Sequence, residues 1–531
     1  RFTTEVAGIA ELGLIGRGED AEITTYLEQA MTSELQGNVV DLCPVGALTS
    51  KPFAFTARPW ELNKTESIDV MDALGSAIRV DSRGREVMRI LPRVNEDINE
   101  EWISDKTRHI VDGLKTQRLD RPYVRKDGRL APASWAEAFA TIRTAIAATT
   151  GDKIGAIAGD MATVEEMYAL GELLKSLGSE NVDCRQDGSA LHPENGRSSY
   201  IFNPTIAGID EADALLIIGS NPRREASVLN ARIRKRWRRG DFAIGLIGED
   251  ADLRYEYEYL GSGPDTLNEL VEGTAKFFGK LKRAKKPMII VGQGALARGD
   301  GRGVLASIAS LAYAVGAIKD GWNGLGILHA AAARVGGLDV GFVPGPNGVD
   351  AATQVVTMDV LFLLGADEID LTKKGANLTI YIGSHGDHGA SNADVILPGA
   401  AYTEKSGIFV NTEGRVQVAQ RATFAPGDAR EDWAIIRALS ETLGKRLAFD
   451  SLAQLRARLF AAHPHLADTD EILAGNADEI AAVAKKARKM NKSGFASPVK
   501  DFYLTNPIAR ASAVMAECSQ LARNNFKAAA E

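Results

Sequence analysis

Cysteine thiolates are soft, anionic ligands for iron and zinc, and this 531-residue chain holds three cysteines, Cys43, Cys184 and Cys518. They stand far apart and no C-x2-C pair occurs, so they make neither a complete zinc or iron–sulfur site nor a disulfide framework, which suits a reducing compartment. Cys43 is the most informative, because a proline follows it in Asn38–Ser50 (NVVDLCPVGALTS). A cysteine before a proline has the form of a remote cluster ligand, whose partner ligands lie elsewhere. The same residues also read as a buried free thiol in a turn of small residues. His385 and His388 flank Asp387, but with no third positioned ligand they read as a polar turn before a strand. Arg232–Arg239 (RIRKRWRR) is a basic run on a predicted helix, read as a solvated or subunit-facing surface because the chain as a whole is acidic.

The elements that must position these residues alternate between strand and helix from about residue 120. Lys153–Ala158, Ala214–Gly219, Phe242–Gly248, Pro287–Gly292, Val360–Gly365, Leu378–Gly383 and Val395–Leu397 are short apolar runs, most of them ending in glycine. Thr163–Leu177, Ala226–Arg239 and Gly303–Val315 are predicted helices between some of them. Apolar strands alternating with helices imply parallel sheets covered on both faces, and the length allows two doubly wound units side by side. Ligands of such sheets bind beyond the strands' carboxyl ends. The sequences there are GSNPRREAS (Gly219–Ser227), GQGALARGDGRG (Gly292–Gly303), GADEID (Gly365–Asp370) and GSHGDHGASNADVILPG (Gly383–Gly399). Their glycines suit a phosphate approached by backbone amides, or simple turn chemistry. No G-x-G-x-x-G lies between a strand and a helix, so no nicotinamide or flavin site is expected in this chain. From Asp428 to Lys489 the chain is Ala-rich, charge-mixed and helical, and it ends in a polar stretch expected to pack on the main body or a neighbour.

With 45% hydrophobic residues, 25% charged residues and 52 glycines, the chain has ample core, enough for roughly three or four domains. A net charge of −8 excludes nucleic acid as a partner, since phosphate binding needs a basic face. No run of 18 apolar residues occurs, so no segment is expected to span a membrane. The chain begins Arg-Phe, and the expectation is a fragment whose natural N-terminus lies upstream.

Ser67–His109 resembles the N-terminal iron–sulfur segment of the molybdopterin oxidoreductases, which carries C-x2-C-x3-C-x27-C. The matching positions are Asp69, Asp72, Ser76 and Ser104, which keep the spacing and lose every thiolate. Hard oxygen ligands do not replace four soft sulfurs, so no cluster is expected there. Taken without the resemblance, the same run is a turn-rich strand segment with two solvated aspartates. Longer strings carry a second resemblance: Arg1–Gly13, Gly37–Glu61, Thr65–Ser76, Arg89–His109, Asp112–Arg125 and Ser497–Ser519 are similar to the large iron–sulfur subunits of respiratory NADH:quinone oxidoreductase, complex I.

That resemblance implies an α/β fold of molybdopterin-oxidoreductase-like doubly wound parallel sheets, preceded by the end of a ferredoxin-like iron–sulfur domain. The expected division is 1–58 for the ferredoxin-like part, 59–120 for the cysteine-free 4Fe-4S-type domain, 121–445 for the α/β domains and 446–531 for a helical and extended C-terminal region. It implies that Cys43 is the fourth ligand of a [4Fe–4S] cluster whose other ligands lie upstream of Arg1, where a [2Fe–2S] and further [4Fe–4S] clusters are also expected. Cys184 sits in DCRQDG near a metal-ligand position of the molybdopterin enzymes, but the alignment falls closer to Asp187, and neither residue is expected to hold molybdenum. No molybdenum or pterin is expected. The implied role is electron relay and scaffolding between a flavin-bearing, NADH-oxidising subunit and quinone. The implied partners are the other peripheral-arm subunits of the complex, on the cytoplasmic face of a bacterial inner membrane or the matrix face of a mitochondrial one. The alternative is a working molybdopterin enzyme such as a formate dehydrogenase.

Overall fold

The computed structural model describes residues 1–25 and 30–530, with side chains for 1–25 and 30–523. The chain opens on an antiparallel hairpin, β1 (Leu12–Ile15) and β2 (Glu22–Thr25), followed by a short helix α1 (Asn38–Leu42). Cys43 is the residue that ends α1, its N–H donating to Val39 O at 3.1 Å.

Next comes a three-stranded antiparallel sheet of β3 (Asn63–Ile68), β4 (Ala77–Arg83) and β5 (Glu86–Pro92), followed by helix α2 (Asp105–His109). A unit of this size buries too little apolar surface to be secure alone. It borrows the remainder: Ile78, Val80 and Ile90 share one apolar cluster with Phe502, Tyr503, Ile508 and Met515 from the end of the chain.

The chain then begins a seven-stranded sheet with β6 (Tyr123–Lys126), β7 (Arg129–Pro132), β8 (Ile154–Ala158) and β9 (Asn181–Asp183). It leaves that sheet to build a second, five-stranded and all parallel, from β10 (Ala214–Ile218), β11 (Ala243–Ile247), β12 (Glu258–Gly261) and β13 (Pro287–Val291). A short hairpin, β14 (Ile318–Lys319) and β15 (Trp322–Asn323), precedes its last strand, β16 (Leu325–Ile327). It returns to the first sheet with β17 (Val360–Leu364), β18 (Leu378–Gly383) and β19 (Val395–Pro398), and a hairpin of β20 (Gly407–Val410) and β21 (Val416–Ala419) follows. The orders are β7-β6-β19-β18-β17-β8-β9, with β6 and β7 antiparallel, and β12-β11-β10-β13-β16. One doubly wound unit is therefore inserted into the other between β9 and β17.

Every residue of β8, β10, β13 and β17 is buried, which is why these runs are apolar throughout instead of alternating. Helix Val164–Ser176 starts where expected because Thr163 and Glu166 form a reciprocal cap: Thr163 Oγ1 accepts from Glu166 N (3.3 Å) and the Glu166 carboxylate accepts from Thr163 N (2.9 Å). Glycines at the strand ends serve close backbone approach. A Cβ on Gly159, just past β8, would lie 1.8 Å from the carbonyl oxygen of Gly365, just past β17. After a stretch without helix or strand, the polar C-terminal segment forms helix Pro507–Arg510 and continues as helix Ala513–Ala530.

Candidate functional site

The four positions that keep the cluster spacing lie together in the loop between β3 and β4 and at the start of α2, and all four are buried. Read without the resemblance, this run promises two solvated aspartates, and the structure buries both. Asp69 and Asp72 lose their water because the C-terminal segment packs over the loop, with Asn506 Nδ2 3.3 Å from Met71 Sδ. Each position is used by the backbone around it. Asp69 Oδ1 accepts from Met71 N (3.2 Å) and Asp72 Oδ1 accepts from Leu74 N (2.9 Å), two side-chain-closed turns. Asp69 N donates to Ser76 O at 2.8 Å. Ser104 caps α2 by accepting from Thr107 N at 3.1 Å, and Thr107 Oγ1 donates to Asp69 Oδ2 at 3.0 Å. A set of carboxylates and hydroxyls committed in this way does not fit an iron–sulfur cluster.

What stands beside it is a cation that the sequence did not single out. Lys106 is 2% exposed, donates to Thr505 Oγ1 at 2.9 Å and lies 5.0 Å from the centre of the Phe502 ring. Burial, reinforced by the Asp72 carboxylate, pushes Asp69 up to about 7, and burial likewise raises Asp72. Burial lowers Lys106, opposed by Asp72 and Asp69. The clue in the sequence was a lysine two residues past the last vacated position, but its partner Thr505 stands 399 residues away.

Lys106 also lines a cleft of about 400 Å³. Its other walls come from loops at the carboxyl ends of strands in both sheets: Asp160 after β8, Gln186 and Asp187 after β9, Arg224 and Glu225 after β10, Arg334 after β16 and Glu368 after β17. Segment 498–510 supplies the remaining wall. Arg334 donates through Nη1 to Asp187 Oδ1 at 2.7 Å. Burial works against the Asp187 charge, and the Arg334 guanidinium outweighs it and holds the carboxyl below its ordinary range. Asp187 is thus engaged in an ion pair. Cys184 stands outside this cleft, 3% exposed, and burial pushes its thiol up to about 12, which makes it a packing residue.

The two histidines part company. His385 is buried, its Nε2 2.9 Å from Gly113 O and its Nδ1 2.8 Å from Ser384 Oγ, while the side chain of His388 is exposed. Among the described residues no group of three or more His, Cys, Asp or Glu side chains could hold a metal ion. In the basic run, Arg232 departs from the expected solvated surface: it is buried and donates to Asp210 Oδ2 at 2.9 Å, whereas Lys235, Arg238 and Arg239 keep partly open side chains.

Cys43 is half-buried at the end of α1. Pro44, Val45, Gly46 and Ala47 after it are exposed. Its Sγ stands 3.3 Å from Val45 O, and backbone groups of Val45 and Leu48 draw the thiol below its ordinary pKa, the direction a ligand needs. Phe55 nearby is 98% exposed.

Family models match in four stretches: a ferredoxin-like domain of NADH-quinone oxidoreductase subunit 3 at 1–49, an NDSU1/NuoG-like 4Fe-4S domain of NADH-ubiquinone oxidoreductase at 62–112, molybdopterin oxidoreductase at 118–442, and a C-terminal domain of NADH-ubiquinone oxidoreductase at 469–518. The NADH-ubiquinone oxidoreductase 78 kDa subunit of Neurospora crassa is 48% identical over 98% of this chain and 71% of its own length. The iron-sulfur protein 1 of NADH dehydrogenase [ubiquinone] from Solanum tuberosum is 46% identical over 98% and 70%. The 75 kDa subunit from Reclinomonas americana is 44% identical over 99% and 78%. Among solved structures, acetylene hydratase from Pelobacter acetylenicus shares the fold, with a TM-score of 0.53 over 86% of this chain and 78% of that one at 12% identity. Four matched stretches in this order, and relatives this similar along almost the entire chain, leave one conclusion: the chain belongs to the family of the 75–78 kDa iron–sulfur subunits of NADH-ubiquinone oxidoreductase, built on a molybdopterin-oxidoreductase fold.

Proposed function

We propose that this chain is an electron-relay and scaffold subunit of complex I, in which Cys43 supplies one thiolate to a [4Fe–4S] cluster whose other ligands precede Arg1. The observation that supports this most is Cys43 itself: half-buried, lowered in pKa and followed by Pro44, within the stretch matched by a ferredoxin-like family model. When bound, the cluster supplies one-electron transfer. The residues of this chain hold and shape it. The end of α1 precedes Cys43, Pro44 stiffens the turn after it, and Gly46, with no side chain, leaves room for an inorganic core beside the backbone.

The remainder of the chain is architectural in this reading. The vacated positions at 69, 72, 76 and 104 and the Arg334–Asp187 pair support a fold that has given up redox chemistry in its cleft. Electrons arrive from a flavin-bearing, NADH-oxidising subunit and leave toward quinone. The subunit sits peripherally, on the cytoplasmic or matrix side of the membrane, and no described helix is long and apolar enough to cross one. The relatives named above, 44–48% identical along almost the entire chain, carry the names of complex I subunits, which disfavours the enzyme alternative.

Cys43→Ala in the intact subunit tests the assignment. One [4Fe–4S] signal in electron paramagnetic resonance should disappear, quinone reduction should collapse, and NADH oxidation by an artificial acceptor at the flavin should persist. Retention of every cluster signal together with quinone reduction would make Cys43 a packing residue.

A further inference from the structure

We propose that the cleft at the strand ends binds a small ligand bearing an oxyanion, a phosphate or a carboxylate, held between Lys106 and Arg334. The proposal is independent of the Cys43 assignment.

The first ground is donors without partners. Arg334, 2% exposed, makes one side-chain hydrogen bond among the described residues, from Nη1 to Asp187 Oδ1, although a guanidinium carries five donors. The one hydrogen bond that Lys106 Nζ makes among the described residues goes to Thr505, although an ammonium carries three protons. Both side chains line the same cleft. Buried groups left in this state carry a desolvation cost that a bound partner removes. Both are cationic donors and want an acceptor with negative charge.

The second ground is place. In open α/β sheets ligands lie beyond the carboxyl ends of the strands, and this cleft gathers the loops after β8, β9 and β17 from one sheet and after β10 and β16 from the other. Its volume of about 400 Å³ falls within the usual span for small-molecule sites. Arg224, Lys500 and Asp501 line both this cleft and an adjoining surface groove of about 640 Å³, which provides a route in with two cations at its mouth.

The third ground is charge. Gln186 Nε2 donates to Asp160 Oδ1 (2.7 Å) and to Glu368 Oε2 (3.0 Å), holding the two carboxyls on one amide. Burial and the neighbouring Asp160 and Asp367 push Glu368 up to about 8, and burial raises Asp160. Glu368 is also paired with Arg510 Nη2 at 2.8 Å, whereas Lys106 has no carboxylate within salt-bridge distance among the described residues. An anion beside Lys106 would also offset the burial that lowers its pKa.

The test is calorimetric titration of the purified full-length subunit with inorganic phosphate and, separately, with succinate, alongside Lys106→Met, Arg334→Lys and the surface control Arg239→Gln. The expected result is one site per chain for at least one anion, with the stronger binder identifying the head group. Lys106→Met should weaken it roughly tenfold to a hundredfold, the worth of one charge-assisted hydrogen bond, and Arg239→Gln should leave it unchanged. Should Lys106→Met fail to fold, Arg334→Lys keeps a cation opposite Asp187 while removing the further guanidinium donors, and it should weaken binding in the same sense. Binding of neither anion, or binding that the cleft variants retain, overturns the proposal. So does a high-resolution map of the intact complex with each anion at saturation that shows only water in the cleft.

Discussion

Lys106 Nζ stands 2.9 Å from Thr505 Oγ1, a hydrogen bond that ties the cysteine-free iron–sulfur module to the loop before Pro507–Arg510 across 399 residues. The ammonium is buried, and the hydroxyl is its one hydrogen-bond acceptor among the described residues. Thr505→Val keeps the shape and removes the acceptor, and it should destabilise the protein by about 2 kcal/mol. Thermal denaturation of the purified subunit checks this. An unchanged midpoint would mean that water already solvates Lys106.

The three-stranded sheet depends on the end of the chain for its core. Truncation after Ser497 removes Phe502, Tyr503, Ile508 and Met515 from the cluster that covers Ile78, Val80 and Ile90. Residues 62–112 should then become the first site of proteolysis, while the two parallel sheets stay protected. Limited proteolysis read by mass spectrometry decides it, and a module as resistant as in the full chain would show that β3–β5 need no cover.

Asp105 gives a pH dependence with a definite sign. Its carboxyl is buried, with Oδ1 accepting from Gly37 N at 2.7 Å and Oδ2 without a partner, and burial pushes it up to about 7 against the pull of that bond and of Arg108. Between an unfolded value near ~4 and about 7 the native state keeps a proton that the unfolded chain has released. Its contribution to stability therefore falls as pH rises through that window. Asp105→Asn preserves the acceptor for Gly37 and cannot ionise. Its stability relative to the native chain should rise by roughly 1.4 kcal/mol per pH unit at most and level off above about 7. Denaturant midpoints for both chains from pH 5 to pH 8 are the measurement, and parallel curves would refute a buried neutral Asp105.

Gly75, in the loop that once would have held cluster ligands, has φ +66°, and its carbonyl accepts from Gln417 Nε2 at 2.8 Å. An added Cβ would lie 1.9 Å from Gln417 Oε1. Gly75→Ala should cost about 1–2 kcal/mol in backbone strain alone, and more because Gln417 must move. Equal stability of the variant would mean that the loop has a second conformation available.

Much of the α/β frame was legible. Apolar runs such as ALLII and VLFLL have one comfortable place, a parallel strand buried on both faces, and Thr163 with Glu166 announces a helix start. The insertion of one sheet within the other was not, because strand order depends on contacts far apart in sequence. Short β16 (LGI) carries too few residues to declare itself. Asp69 and Asp72 were misjudged because a carboxylate's burial depends on what covers it, and here the cover is the chain's last segment. Lys106 and Arg334 were missed for the same reason, since their surroundings exist only after both sheets and the C-terminal stretch have come together.

The interval between Lys106 and Thr505 is also a length of time. At translation speeds of ~5–20 residues per second, a ribosome needs roughly 20–80 s to travel from one to the other. Throughout that interval both sheets are being made while the wall from 498–510 does not yet exist. The nascent chain thus passes through a stage with an open cleft and an uncovered module, and segment 498–510, made after both sheets, shuts it.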